Sequence, residues 1–467
     1  MLKVIKDIRI WIFLFFLIRM YGITLPPLDK GHNWRQTTVT MVARNFVETE
    51  ANIFYPRIDF AGEKTGITGM EFPLLNYLIY LFSMLFGYDH WYGRLINLMI
   101  SSAGIWYFFL LVRKYFNERM AFNASIILLS SIWFAYSRKI MPDTFSTSLI
   151  LAGLYYGTNY LDRKSSLSNL LAAFGLLLAG TMSKLPSACL LGIFIPIFFL
   201  KDITFKRKIS LASMLLLVMV PVIIWYFYWV PFLVEEYGFW HFFMGKGMLE
   251  GAGEVVAYWN ESLKKFYENA LMFIGFGAFL AGFFLAFFQR NKKLLTVFCF
   301  TFFPFLLIVF KSGATFALHS YYIIPFVPVM ALVSGYALSL IRKRWIVVVI
   351  LIAIGAEGIL NQQHDFRLRE SDLPIVDLEQ VLDTFSQRSD LILINSGDYP
   401  TPLYFAHRKG WIAPNENIVR SAYRDDLVSK GLKYIVILKQ AFGTSIEIPE
   451  AVVFENENYT IYHLDDR

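Results

Sequence analysis

The stretch "LPPLDKGHNWRQTT", residues 25–38, follows the first apolar segment of the chain. It places an aspartate, a histidine, an arginine and two prolines directly after a segment that is otherwise oily. Charged side chains at the mouth of a membrane segment are costly, and their presence there indicates function by default. The stretch therefore predicts a membrane protein whose first loop carries a functional site.

The composition of the whole chain agrees with a membrane location. Of its 467 residues, 56% are hydrophobic and 18% are aromatic, whereas a soluble chain has roughly 45–50% apolar residues. Apolar runs of about 17–22 residues, long enough to cross a bilayer as helices, recur along the sequence. The runs are 8–25, 73–87, 93–113, 120–137, 144–161, 168–183, 186–200, 209–231, 269–288, 294–310, 320–341 and 345–360.

The net charge of +7 does not indicate a nucleic-acid partner, because the basic residues fall in short clusters between apolar runs. Such clusters mark cytoplasmic loops under the positive-inside rule. These loops are 113–119, 161–166, 201–208, 289–293 and 341–344. The alternating set, which then faces the outer side, comprises 138–143, 183–186, 232–268, 311–319 and everything after 361.

A count of crossings defines the first outer loop as residues 26–92. Basic residues before the first apolar run keep the N-terminus inside, so one of the runs 73–87 and 93–113 must not cross. Since 73–87 is short for a span, we predict that it is a helix in the outer interface and that the chain has about 11 spans. In the alternative, both runs cross and one loop breaks the charge rule. Residues 36–50, with apolar side chains at helical spacing, predict a second interfacial helix.

The region after residue 361 changes character and predicts a small α/β domain. Short β-branched runs predict strands at 390–397 and 432–438, helical patterns cover 374–388 and 421–430, and 452–464 predicts a hairpin with an Asn-Glu-Asn turn. The predicted fold is therefore an α-helical polytopic membrane domain over 1–360, with a long outer loop at 232–268. An extracytoplasmic α/β domain over 361–467 follows it.

Unusual polar residues recur on the outer side of this topology. They are Asp29, His32, Arg35, Arg57, Asp59, Glu71, Arg94, Arg138, Lys139, Asp143, Lys184, His241, Lys246, Lys311 and His319. Cations of this kind stabilise a phosphate, and a carboxylate can act as an acid or a base. Their distribution predicts a site that is reached from the outer leaflet.

Several of these residues also have a purely structural explanation. Arg94 and Lys184, near helix ends, would snorkel to lipid headgroups. Asp143 follows a proline and would cap a helix. Asp29 and Asp59 would hold turns.

Three further residues in apolar runs need no functional explanation. Arg19, in the first run, is expected to be tucked against neighbouring helices or to snorkel. Cys189 and Cys299 lie in separate runs without metal-ligand spacing, so the cysteines imply neither a disulfide framework nor a metal site.

An ordered set of motifs resembles the lipid-carrier-dependent glycosyltransferases of the GT-C fold. The closest similarity is to the bacterial branch with the aminoarabinose transferase of lipid A and relatives of the protein O-mannosyltransferases. The motifs are "PLDKGHNWRQ", "YPRIDFAGEKTGITGMEFPLLNYLIYLFSMLFG", "GRLINL", "SRKIMPDTFSTSL", "SKLP" and "HSYYIIPFVPVMALVSGYAL". Together they cover residues 1–360 in the order of that family.

The resemblance implies an inverting transferase that takes its sugar from a polyprenyl (undecaprenyl) phosphate. It implies that Asp29 is the catalytic base and that Glu71 and Asp143 are further functional acids. It also implies that Lys184 lies near the lipid phosphate. Lys30 stands where relatives can carry a second acid. Glu71 or Asp143 would therefore have to share the catalytic role with Asp29.

The remaining expectations concern ligands, partners and location. Contacts to the donor phosphate or sugar are assigned to His32, Arg35, Arg57, Arg94, Arg138, Lys184, His319 and Tyr322. No cofactor is required, although Asp29, Glu71 and His241 are suitable metal ligands by type. The acceptor would be a glycolipid, a cell-surface polysaccharide or a protein. A monomer is expected in the bacterial inner membrane, with its active site and C-terminal domain on the extracytoplasmic side.

Two other classes of protein are alternatives. A transporter or flippase of a lipid-linked sugar would carry its polar residues near the bilayer midplane, in broken helices and repeated halves. Here they lie on one face, and no repeat is visible. A non-catalytic sensor that uses the outer α/β domain would not need acids and cations in so many loops. Glycosyl transfer is therefore the preferred function.

Overall fold

The structure, a computed structural model, describes residues 6–162, 166–239 and 245–464, and most of these residues are helical. The α-helices are α1 Ile8–Arg19, α2 Asn33–Glu48, α3 Leu74–Phe86, α4 Tyr92–Tyr115, α5 Glu118–Ser130, α6 Trp133–Tyr136, α7 Pro142–Tyr160, α8 Leu167–Ser183, α9 Phe205–Ile224, α10 Val230–Tyr237, α11 Met248–Ala257, α12 Trp259–Lys264, α13 Met272–Phe288, α14 Lys292–Ser312, α15 Ala314–Leu318, α16 Val327–Leu340, α17 Arg344–Gln362, α18 Leu378–Leu382, α19 Thr401–Ala406, α20 Asn415–Ile418 and α21 Ser421–Ser429. The 3-10 segments are Leu185–Phe199, Ser320–Phe326, Gln363–Phe366 and Glu370–Asp377, and the π-helical segments are Trp225–Trp229 and Lys265–Ala270. The strands are β1 Leu391–Ile394, β2 Gly410–Ile412, β3 Leu432–Leu438, β4 Ala451–Glu455 and β5 Tyr459–His463.

Five helices in the described part of the chain are long and apolar enough to cross a membrane. They are Tyr92–Tyr115, Phe205–Tyr237, Lys292–Ser312, Ser320–Leu340 and Arg344–Phe366. A sixth results if Trp259–Ala270 and Met272–Phe288, which meet at a bend of 100°, form one span. The short apolar helix α3 covers the run 73–87, as predicted for a helix there. Its interfacial position, the larger predicted number of spans and their orientation remain predictions.

Several apolar runs that the sequence presents as single segments are not single α-helices, and two of them serve as examples. The run 120–137 is divided between α5 and α6, because Ser131 between them has an extended backbone. The run 186–200 forms a 3-10 helix that contains Pro196. Proline has no backbone N–H and clashes with the preceding turn, so it disfavours a regular α-helix at that point.

The chain divides into two compact units, each of which is described by itself. The membrane unit comprises Met1–Ile23, Arg94–Tyr228 and Phe243–His364. The α/β unit comprises Thr24–Gly93, Trp229–Phe242 and Asp365–Arg467. The first outer loop thus groups with the C-terminal residues, while a functional boundary at residue 360 remains a prediction.

The α/β unit is built on a five-stranded sheet with the order β2-β1-β3-β5-β4. β1 pairs in parallel with β2 and β3, and β5 pairs antiparallel with β3 and β4. The predicted strands and the hairpin are confirmed, whereas the three-residue strand β2 is too short to be seen in the sequence pattern. The helical pattern 374–388 is only partly correct, because the chain forms a 3-10 turn and then α18, which ends at Leu382.

The first outer loop packs on one face of this sheet. Val42 and Phe46 of α2 belong to the same buried cluster as Ile394 of β1 and Leu403 of α19. Burial of such side chains contributes roughly 1.5–3 kcal/mol each. A helix is therefore present over the predicted segment 36–50, but the prediction that it is interfacial is wrong, because its apolar stripe is buried in the α/β core.

Polar contacts reinforce the packing of α2 within the α/β unit. Arg44 donates from Nη2 to Asp59 at 2.7 Å and from Nη1 to the carbonyl oxygen of Tyr404 at 2.9 Å. Asp59 is buried in this ion pair, so it does not merely hold an exposed turn. Gly410 donates to the backbone oxygen of Asp59, and Gly62 donates to the oxygen of Gly410, so residues 59–62 cover the edge of β2.

In the membrane unit, α7 and α8 make a close helix pair. A Cβ atom on Gly153 would lie 2.6 Å from Leu177, and one on Gly180 would lie 2.7 Å from Ile150. Small residues let two membrane helices approach closely enough for dispersion contacts between them. This pair ends at Asp143 and Lys184, two of the predicted site residues.

Candidate active site

Asp29 is buried beside the first turn of α2. Only 1% of the residue is exposed, and Gln36 Nε2 donates to its carboxylate at 3.2 Å. The Asp29 backbone also forms an isolated antiparallel bridge with Leu368 of the C-terminal region. The carboxylate is thus held between the start of a helix and the segment that leads into the α/β sheet, a contact that local sequence does not reveal.

Glu71 is placed by the same helix. Arg35, next to Gln36 on α2, donates from Nη2 to Glu71 Oε1, and both side chains are about 95% buried, with exposures of 5% and 4%. Buried ion pairs of this kind are costly to break, because one partner is left as an uncompensated charge. Consecutive residues of α2 therefore contact both predicted acids of the first loop.

The other predicted residues of this loop lie in different surroundings. His32 occupies the N-cap position of α2 with φ 60°, in the left-handed region. Arg57 donates to Glu50 at 2.7 Å, in an ion pair whose carboxylate is 49% exposed. Its assignment to the donor phosphate therefore remains a prediction without a buried setting to support it.

In the membrane unit, Asp143 and Lys184 come together. Lys184 Nζ lies 3.7 Å from Asp143 Oδ1, with side-chain exposures of 7% and 2%. Asp143 stands in the first turn of α7, but the capping position is Met141, so the proposed capping role is wrong. Lys184 is buried, and the structure does not support the alternative in which it snorkels towards headgroups.

Aromatic rings surround the Lys184 ammonium. Nζ lies 5.4 Å from the ring centre of Tyr321 and 5.9 Å from that of Tyr322. These two rings stack 4.9 Å apart, and His319 stacks on Tyr321 at 5.4 Å. Desolvated cation–π contacts of this type contribute roughly 0.5–2 kcal/mol. The 3-10 segment after α15 thereby joins the predicted residues His319 and Tyr322 to Lys184.

Buried arginines form a second cationic group in the membrane unit. Arg94 donates to the carbonyl oxygen of Ile23 at 3.1 Å, and Arg138 donates to that of Gly22 at 3.0 Å. Arg94 is fully buried, so it is not a snorkelling residue at a helix end. The end of the first membrane segment is thus enclosed by guanidinium groups.

Arg19 belongs to the same region and was expected to be tucked against neighbouring helices. It is fully buried and donates to Phe15 O at 2.8 Å and to Ser137 Oγ at 2.5 Å. Lys139 places its ammonium 4.9 Å from the ring centre of Tyr136. The sequence identified these cations individually, but their common location follows only from the packing of α1, α4 and the turn before α7.

Two of the three possible metal ligands, Asp29 and Glu71, accept hydrogen bonds from side chains of α2. Among the residues that the structure describes, no group of three or more His, Cys, Asp and Glu side chains is close enough to hold a metal ion. Glu71 instead accepts from Arg35, and Asp29 accepts from Gln36. His241, the third suitable ligand, lies outside the described residues.

A charged cluster links the far end of α2 to the C-terminal region. His407 lies 2.9 Å from Glu48 of α2 and 2.9 Å from Glu379 of α18. Burial alone would lower the pKa of His407, but hydrogen bonds to the two carboxylates raise it above its usual value. Hydrogen bonding to His407 in turn lowers the pKa of Glu379 to about 2. The two carboxylates of the cluster therefore favour the charged imidazolium form of His407.

Comparison with known proteins finds a family that matches part of the chain and solved structures with a similar fold. Residues 71–225, which include Glu71, Asp143 and Lys184, match the family described as dolichyl-phosphate-mannose-protein mannosyltransferase. No curated protein sequence matches the chain. Two solved structures share its architecture.

ArnT from Cupriavidus metallidurans, bound to undecaprenyl phosphate, has a TM-score of 0.64 at 12% identity, over 97% of this chain and 98% of that one. The oligosaccharyltransferase of Archaeoglobus fulgidus, in complex with Zn and sulfate, has a TM-score of 0.58 at 14% identity, over 91% and 67%. At these identities the likeness shows the fold alone.

A family of glycosyltransferases thus matches residues 71–225, and the fold of the whole chain is similar to those of the two solved structures. The resemblance that the sequence motifs predict is thereby confirmed. The particular sugar, its carrier, the acceptor and the roles of individual residues are proposals that rest on the geometry of the two buried groups.

Proposed function

We propose that the protein moves a sugar from a polyprenyl phosphate, such as undecaprenyl phosphate, to an acceptor outside the cytoplasm. The acceptor would be a glycolipid, a cell-surface polysaccharide or a protein. The observation that carries the proposal is the buried carboxylate of Asp29, held by a neutral amide from Gln36. A buried carboxylate that is held in place by a hydrogen bond is suited to accept a proton from a bound hydroxyl group.

The chemistry is a single displacement with inversion. The acceptor hydroxyl oxygen attacks the anomeric carbon while Asp29 takes the hydroxyl proton. The bond between the anomeric carbon and the phosphate oxygen breaks, and polyprenyl phosphate leaves with the bonding electrons. A poor nucleophile gains reactivity as its proton is removed in the transition state.

The leaving phosphate gathers negative charge, which cations and polar hydrogens stabilise. We assign this role in the membrane unit to Lys184, His319, Tyr322, Arg94 and Arg138. The first three are supported by their mutual packing. Arg94 and Arg138 are supported by their burial at the end of the first membrane segment.

The remaining predicted residues receive supporting roles. Glu71 and Arg35 hold each other and fix the start of α2, which positions Asp29. Asp143 orients Lys184 from the first turn of α7. His32 and Arg57 stay assigned to donor contacts on sequence grounds. The proposed setting is a monomer in the bacterial inner membrane, with the site on the extracytoplasmic side.

The test is Asp29→Asn in the full-length protein, reconstituted with an undecaprenyl-phosphate sugar and an envelope glycolipid fraction from the host. We expect the transfer rate to fall by about 10²–10⁴-fold, the range for loss of a general base. Asp398→Asn, which changes an exposed carboxylate of the α/β unit, is the matched control and should transfer normally. Near-normal turnover of Asp29→Asn would refute the base assignment.

The same assay separates transfer from transport. A transferase forms a new glycosidic bond in the acceptor fraction, and that bond is detected by mass spectrometry. Movement of the lipid-linked sugar across the vesicle membrane without a new bond would instead favour the flippase alternative. Loss of both activities in Asp29→Asn, with unchanged thermal unfolding, would assign Asp29 to a step that they share.

A further inference from the structure

The helix α11 has one face packed on a membrane span and the opposite face uncovered. A Cβ atom on Gly251 would lie 1.8 Å from the carbonyl oxygen of Phe310, so the backbone of α11 touches α14 near its last turn. Glu254 accepts from the backbone nitrogen of Ala314 at 2.8 Å. These contacts fix α11 beside the end of a helix that is long and apolar enough to cross the membrane.

The uncovered face of α11 is an apolar stripe. Its members, at positions i, i+3, i+4 and i+7, are Leu249, Ala252, Gly253 and Val256. With about 100° per residue, Leu249 and Val256 lie within roughly 20° of each other and far around the helix from Gly251. Leu249 is 91% exposed and Val256 is 70% exposed. Two large apolar side chains on one stripe are therefore left without a protein partner in the described chain.

The next helix continues the same arrangement. In α12, Ser262 is buried against the protein, whereas Trp259 and Leu263, four residues apart, are exposed by 64% and 46%. Phe266, one turn further, packs on Phe305 of α14. The segment from α11 to α12 thus keeps an inward face on the spans and an outward apolar face.

The direction of α12 relative to the spans shows what this face meets. The helix Trp259–Ala270 is bent by 100° from Met272–Phe288. If α13 crosses the bilayer, a helix at that angle runs along the membrane plane. The span α14, on which α11 packs, also carries exposed apolar side chains, such as Leu307 and Phe303, which face lipid in any membrane-spanning orientation of α14.

We infer that α11 and α12 form an in-plane anchor whose apolar stripe inserts into the boundary between headgroups and acyl chains. In-plane helices bind by burying an apolar face about 5–10 Å into this boundary. The charged residues of the two helices, which include Glu250, Glu254 and Glu261, lie off the stripe and are mostly acidic. Because an acidic helix gains nothing from anionic headgroups, insertion depends on apolar burial and occurs in a neutral bilayer.

The anchor is tested by spin-label accessibility in the full chain. Single cysteines replace Leu249, Val256 or Leu263 in a background with Cys189→Ala and Cys299→Ala, and the labelled proteins are reconstituted in phosphatidylcholine vesicles. Exposed positions tolerate such changes, typically within about 0.5 kcal/mol. We expect collision with oxygen to exceed collision with a water-soluble nickel chelate severalfold at these positions. Glu250→Cys, on the charged side of α11, is the matched control and should show the reverse order.

Three results would overturn the anchor or its apolar mode of insertion. Nickel accessibility at Leu249 and Val256 equal to that at Glu250 would place the stripe in water. Low accessibility to both reagents, together with spin–spin broadening, would mean that a second copy of the chain covers it. A requirement for phosphatidylglycerol in the vesicles would refute the apolar mode of insertion. The readout is lipid exposure, so it is independent of transfer activity.

Discussion

The α/β unit and the membrane unit hold their buried acids in different ways. In the α/β unit, Asp29 accepts from the neutral amide of Gln36, while Glu71 pairs with Arg35. In the membrane unit, Asp143 lies beside Lys184. A cation beside a carboxylate stabilises the charged form and lowers its tendency to take up a proton.

The partners of the three predicted acids, Asp29, Glu71 and Asp143, indicate different roles for them. Asp29 accepts a hydrogen bond from the neutral amide of Gln36, and we propose Asp29 as the proton acceptor. Glu71 and Asp143 are matched to cations, which fits positioning of those cations or of a helix. All three side chains are carboxylates, and the proposed roles differ with the partners described for each.

The largest effect is expected when the buried ion pair between Arg35 and Glu71 is broken. Arg35→Ala removes a cation from the buried Glu71 carboxylate, and we expect a loss of about 3–5 kcal/mol in the free energy of unfolding of the α/β unit. Thermal unfolding of the purified protein, followed by tryptophan fluorescence, measures it. The control is Arg57→Ala, which removes an exposed ion pair with Glu50 and should cost less than about 1 kcal/mol. Equal costs for the two variants would show that burial does not distinguish them.

The next largest effect is expected on the transfer rate, from a substitution in the membrane unit. Lys184→Ala should lower the transfer rate by roughly 10²–10³-fold, the range for loss of one preorganised charge-stabilising donor. Lys184→Arg, which keeps the cation, should recover part of that rate. Lys292→Ala, at the exposed start of α14, is the control. If Lys184→Ala leaves both the rate and the dependence on donor concentration unchanged, the ammonium does not contact the donor.

A smaller effect is expected for the neutral donor. Gln36→Leu removes one hydrogen bond to Asp29, and a loss of about 1–1.5 kcal/mol in transition-state stabilisation corresponds to roughly tenfold in rate. Thr37→Val, one residue away, removes the contact with Thr401 and should leave the rate unchanged. Steady-state kinetics with saturating donor compare the two variants. Equal rates would mean that Gln36 supports α2 rather than the carboxylate.

The elements with strong local patterns were predictable from the sequence. The apolar period of 36–50 predicts α2, and alternation predicts β3 and the hairpin of β4 and β5. The acids and cations of the loops also stand out, because polar residues are rare in apolar surroundings. These signals are local, so they survive without knowledge of the tertiary structure.

The partners of those residues could not be predicted, because they depend on contacts between distant parts of the chain. The sequence around Asp29 does not predict its backbone bridge to Leu368. The sequence around Arg44 likewise does not predict its hydrogen bond to the carbonyl oxygen of Tyr404. The short strand β2 has no measurable period. Gln36 lies inside the stretch 25–38, but the sequence does not show that its amide donates to Asp29, which follows only from the fold.

The smallest predicted effect concerns pH and distinguishes the two units again. The raised pKa of His407 means that its pairing with Glu48 and Glu379 stabilises the fold fully below the unfolded-state pKa of about 6.5. That contribution is lost as the pH rises through the raised value in the folded state. Both carboxylates are more than a third exposed, so screening by solvent limits the contribution to less than about 1 kcal/mol.

The expected result is a small fall in the melting temperature of the wild type between pH 6 and pH 9 that is absent in His407→Gln. Hydrogen exchange locates it: protection of α2 should weaken with rising pH, while protection of α7, which carries Asp143, should follow only the intrinsic exchange rate. Lowering the pH through the depressed pKa of Glu379, about 2, would remove the carboxylate side of the cluster instead. An unchanged pH slope in His407→Gln would show that α2 is held by its apolar stripe and by Arg44 alone.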